Sequence, residues 1–195
     1  MGQRPSAFGL AVAGGCFLGL GGNLYTIATS GAGLSFGLQQ LIGGLAFSLG
    51  LVLVAVTGAE VFSGNANLLS LWVRGRVAFA ELASHSLIVL LGNLVGGLSL
   101  VLLLFVAAQY ALPEGGVGVT ALRLAAQKCQ MPFLVALARG LLGGALVVWA
   151  LWAAAQIQSA SGVVVVVTLP AVALVACGFE HCVAGLYFVP MGLAI

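Results

Sequence analysis

Apolar residues fall in five windows, residues 7–29, 39–73, 80–109, 132–156 and 163–195. Each is long enough to cross a hydrocarbon core about 30 Å thick as a helix. The second window is too long for one crossing, and Thr57-Gly-Ala-Glu-Val-Phe-Ser-Gly-Asn65 interrupts it, so it reads as two half-helices joined by a mid-membrane loop. The last window is interrupted in the same way by Cys177-Gly-Phe-Glu-His-Cys182. Glycines recur at near-helical spacing in the first window (Gly14, Gly15, Gly19, Gly22) and the fourth (Gly140, Gly143, Gly144), where small residues let helices approach closely. The pattern predicts an all-α polytopic membrane protein forming a single transmembrane domain over residues 1–195.

The breaks matter more than the spans. Glu180 and His181 lie deep in an otherwise uncharged stretch, and ionisable groups at that depth are expensive enough to be functional candidates by default. The alternative is a capped kink with a satisfied core histidine. Gly58-Ala-Glu-Val-Phe-Ser-Gly64 and Gly178-Phe-Glu-His-Cys-Val-Ala-Gly185 share a Gly-x-Glu start, with the glutamates 120 positions apart. Three spans separate the start of one unit from the next, which predicts an inverted repeat, the first over about residues 7–109 and the second over about 132–195. Broken helices meeting near the midplane are a layout of transport proteins. The second unit has no third helix within residues 132–195, so the chain is expected to be a C-terminally shortened form of a six-span protein.

Composition narrows the class. Of 195 residues, 62% are hydrophobic and 5% charged, and the mean hydropathy is +1.23, which excludes a water-soluble globular domain. So few titratable groups leave an enzyme little to work with, and a net charge of +2 without a basic run gives no case for nucleic acid. Cys16, Cys129, Cys177 and Cys182 show no C-x-x-C spacing and read as inert thiols, so no metal or cofactor is expected. Arg74 and Arg76 mark their turn as cytoplasmic, and Arg4 agrees. The N-terminus is then cytoplasmic, and residues 110–131, with Glu114, Arg123 and Lys128, form an external loop. The N-terminal residues show no cleavage site for a removable signal peptide.

Four stretches resemble the formate/nitrite transporter family: Leu41-Ile-Gly-Gly-Leu-Ala-Phe-Ser-Leu-Gly50, Gly58-Ala-Glu-Val-Phe-Ser-Gly-Asn65, Leu91-Gly-Asn-Leu-Val-Gly96 and Gly178-Phe-Glu-His-Cys-Val-Ala184. The resemblance implies an aquaporin-like six-helix protomer in a bacterial inner membrane, assembled as a homopentamer with one pore per subunit. It also implies passage of formate, nitrite or hydrosulfide, often with a proton, and formate is the first expectation. By position, His181 resembles the family's central pore histidine, Ser63 faces it from the first break, and Lys128 stands by the outer vestibule. Phe47, Leu51 and Leu174 match the apolar constriction. Gly144 and Gly185 depart from the family's asparagines near the histidine, and Arg139 is unexpected in the fourth span.

Each residue also has a plainer reading. Lys128 could be a solvated loop charge, Ser63 could bond its own loop, and Phe47, Leu51 and Leu174 could be core. Glu60 and Glu180 are expected to be structural, accepting hydrogen bonds from N–H groups freed at the breaks. His85 reads as interfacial, and Arg139 could pair with a glutamate or bind an anion. Competing functions are a neutral-solute pore of the aquaporin type, a membrane enzyme and a chain that does not transport.

Overall fold

The computed structural model describes residues 6–31, 33–113 and 115–195, without the side chains of residues 66 and 67. Arg4 and Glu114, used above for charge placement, lie outside the described residues. Among the described residues eight α-helices follow one another: α1 (Ala7–Thr29), α2 (Phe36–Thr57), α3 (Ala66–Val73), α4 (Phe79–Val106), α5 (Gly116–Cys129), α6 (Phe133–Ala154), α7 (Ala160–Ala176) and α8 (Cys182–Ala194). Of these, α1, α2, α4 and α6 are long and apolar enough to cross a membrane alone. The last window is divided into α7 and α8, of 17 and 13 residues, each short of a full crossing.

Local chemistry sets the ends. Ser6 Oγ accepts the Gly9 N–H at 3.1 Å and starts α1. Both interrupted spans stop at a glycine in the left-handed region, Gly58 at φ +70° and Gly178 at φ +65°. A side chain there would be strained, so these glycines terminate α2 and α7 cheaply. The packing that follows places α1 against α2 and α4, with α8 reaching the same centre. Tyr187 of α8 donates its hydroxyl to Asn23 Oδ1 of α1 at 3.1 Å, with both residues buried. Large apolar side chains such as Leu103, Leu134, Leu141, Trp149 and Trp152 face outward. An apolar exterior on this scale suits lipid or neighbouring subunits rather than water.

The expected external loop at residues 110–131 is instead largely helical, because α5 occupies its second part. Thr120-Ala-Leu-Arg-Leu-Ala-Ala-Gln-Lys128 is rich in strong helix formers. Val117, Ala121 and Ala125, at i, i+4 and i+8, form its buried face. A search for spanning windows misses such a helix because its mean hydropathy is too low, yet it packs firmly on α8 and carries Lys128 inward.

Candidate functional site

The two breaks are held by neighbouring helices. In the first, the Glu60 N–H donates to Leu10 O of α1 at 3.1 Å. Asn93, fully buried on α4, donates to Ala11 O (2.7 Å) and Glu60 O (2.9 Å) and accepts the Phe62 N–H (2.9 Å). One side-chain amide therefore satisfies two backbone groups, the Phe62 N–H and the Glu60 carbonyl, that the broken helix would otherwise leave unpaired in an apolar interior, and ties them to α1 through Ala11 O. In the second break, the Glu180 N–H donates to Arg139 O of α6 at 3.2 Å. Gly14 and Gly143 make these approaches possible: a Cβ on either would collide with the carbonyl oxygen of Glu60 or Glu180, respectively.

Anchored in this way, the breaks bring Ser63 and His181 together. Ser63 Oγ lies 2.7 Å from His181 Nε2 across 118 positions of sequence. His181 has extended backbone and caps α8, its Nδ1 accepting the Ala184 N–H at 3.3 Å. A ring nitrogen that accepts an N–H carries a lone pair, so in neutral imidazole the proton resides on Nε2. His181 then donates to Ser63, whose own hydroxyl hydrogen is left to donate elsewhere. The side chain is 4% exposed. Both ring nitrogens are thus satisfied within the two breaks.

Two cavities approach this point from opposite ends of α6. The larger, about 690 Å³, is lined by Phe47, Lys128, Arg139, Leu174, Glu180 and His181 among others. The smaller, about 290 Å³, is lined by Val54, Gly58, Glu60, Asn65, Leu151 and Ala154 among others. From Arg139 to Leu151 is about 18 Å along the helix at its usual rise. Phe47, Leu51 and Val54 follow one another along one face of α2, the first in the larger cavity and the last in the smaller. Leu51, 1% exposed, stands between them. Of the apolar residues expected to constrict a pathway, Leu51 is therefore buried between the two cavities, while Phe47 and Leu174 line the larger one together with His181.

The charges are arranged differently from expectation. The Lys128 ammonium pairs with the Glu180 carboxylate, the two side chains being 20% and 23% exposed. It also sits 4.9 Å from the centre of the Phe188 ring. His85 Nε2 lies 3.0 Å from Glu60 Oε2, so His85 faces the first break. Each break glutamate uses its carboxylate for a side-chain base, while its backbone N–H goes to a helix carbonyl. Asn93 was not singled out in advance. Its signal was a lone amide in the middle of an apolar span, within the stretch over residues 91–96 that carries the family resemblance.

The sequence model described as formate/nitrite transporter matches residues 3–195. The formate channel FocA of Escherichia coli (strain K12) is 35% identical over 189 residues, covering 96% of this chain and 66% of the relative. The formate channel FocA of Haemophilus influenzae is 32% identical over 193 residues, covering 98% and 68%. A solved structure described as a pentameric formate channel with formate bound superposes with a TM-score of 0.89 at 35% identity, covering 96% of this chain and 74% of that one. The chain spans about two thirds of the length of the curated relatives it matches.

Proposed function

The chain belongs to the formate/nitrite transporter family, and on that premise we propose that it forms a transmembrane pathway for small monovalent anions, with formate as the substrate. The observation that carries this reading is the Ser63–His181 hydrogen bond, whose histidine lines the larger cavity together with Phe47 and Leu174. An anion passing those side chains loses water, and an isolated buried charge costs on the order of several kcal/mol or more. Low dielectric favours the uncharged form of a weak acid. Formate therefore crosses with a proton, as formic acid, and the Ser63 hydroxyl hydrogen, which the bond from the His181 Nε2–H leaves free to donate, replaces one of its lost water contacts.

The reading extends to assembly and topology. The outward apolar faces of α4 and α6 fit lipid and neighbouring copies in a homopentamer, with the N-terminus on the cytoplasmic side of a bacterial inner membrane. The matched contacts at the two breaks, Leu10 O with Glu60 N and Arg139 O with Glu180 N, support reading them as inverted repeats of one transmembrane domain.

Formate uptake into proteoliposomes tests the function. Uptake is expected to be faster at pH 5 than at pH 8, and to fall at least tenfold in His181→Ala and several-fold in Ser63→Ala. Equal uptake at both pH values, unaffected by His181→Ala, would overturn the proton-assisted reading. Nitrite or hydrosulfide flux without formate flux would keep the pathway and change its substrate.

A further inference from the structure

Arg139 has no carboxylate within ion-pair distance among the described residues. Lys128 takes Glu180, His85 faces Glu60, and Glu81 Oε2 accepts the Ala78 N–H at the start of α4. Arg139 nevertheless lines the larger cavity together with Lys128, Glu180 and His181. Within that cavity the Lys128 and Glu180 charges cancel, and the His181 ring nitrogens are engaged as described for neutral imidazole. Arg139 is left as the uncompensated charge. Its position is fixed by the break itself, since its carbonyl accepts the Glu180 N–H and Gly143, one turn on, packs against Glu180 O. The base of the Arg139 side chain is thereby tied one residue away from His181.

We propose that Arg139 is an anion-docking residue of the larger cavity, binding a small carboxylate or planar oxyanion before it reaches His181. The proposal deepens, and rests on, the reading of the chain as an anion pathway. A guanidinium suits this task because it offers paired N–H donors to two oxygens of one planar anion and stays charged at any working pH. The Lys128 ammonium lacks that freedom while it holds Glu180 and sits over Phe188. Lys128 therefore shapes the cavity, whereas Arg139 raises the local anion concentration within it. Phe47 and Leu174, in the same wall, exclude bulkier and better hydrated anions from going further.

The test uses the full chain, with an arginine-selective reagent and a flux assay side by side. Phenylglyoxal modification of Arg139 is followed by peptide mass spectrometry with and without sodium formate, and exposed Arg123 on α5 serves as the internal reference. Formate is expected to slow modification of Arg139 at least threefold relative to Arg123. In proteoliposomes, Arg139→Gln is expected to raise the half-saturating formate concentration by roughly three- to tenfold, the scale of one solvent-accessible charge contact, with maximal flux close to the parent. Arg139→Lys is expected to restore part of that loss. Equal slowing at both arginines, or an unchanged half-saturation in Arg139→Gln, would overturn the docking role. Selective protection in a parent chain that carries no formate would instead leave docking standing and remove the transport reading.

Discussion

Lys128 and Glu180 lie 52 positions apart and form an ion pair across the larger cavity, joining the last turn of α5 to the break between α7 and α8. The contact explains how a helix outside the spanning set is coupled to the histidine one residue further on. It also means that the lysine expected by the outer vestibule is largely neutralised in place.

Both side chains of that pair are mostly buried, so removing one partner leaves a charge that water only partly solvates. Lys128→Met and Glu180→Gln should each lower stability by roughly 1–3 kcal/mol, less than for a fully buried pair because about a fifth of each side chain remains exposed. The double variant should lose less than the sum of the two. Thermal unfolding in detergent measures this, and strictly additive losses would show that the pair contributes no coupling.

Asn93 should be among the least replaceable polar residues. Asn93→Leu is close in volume but leaves the Phe62 N–H and the Glu60 carbonyl without their partner and removes the tie to Ala11 O of α1. Each stranded buried group costs about 1–3 kcal/mol, so the variant should unfold at a markedly lower temperature and lose protection from hydrogen exchange at residues 59–64. Unchanged exchange there would mean that Asn93 does not hold the break.

Gly143 and Gly144 are neighbours with opposite expectations. Glu180 O occupies the place of a Cβ on Gly143, whereas a Cβ on Gly144 meets nothing within 4 Å. Gly143→Ala should destabilise by about 1–3 kcal/mol, the usual range for overpacking, and should displace Glu180 from Arg139 O. Gly144→Ala should be neutral or stabilising by up to roughly 1 kcal/mol, because glycine is a poor helix former. Comparable unfolding temperatures for the two variants would contradict the close approach at Gly143.

By itself the sequence determined the all-helical membrane class, the five apolar windows and both interruptions, because crossing a bilayer imposes length and hydropathy on local stretches of chain. It also marked Glu60, Glu180 and His181, since charge in an apolar run is conspicuous without any fold. Tertiary structure decided the partners, apart from Ser63 opposite His181, which the family resemblance had already set. The cost of a buried polar group says that it must be paired but not with what, so nothing local joins His181 to Ser63, Lys128 to Glu180 or Asn93 to the first break. Nothing local separates Arg139 from the acidic groups either. α5 escaped the hydropathy pattern for a related reason: its apolar face is narrow, and only docking on α8 makes that face interior. Those assignments depend on which distant segments the packing of α1, α4, α6 and α8 brings within hydrogen-bonding reach, and that is a property of the folded chain rather than of any window along it.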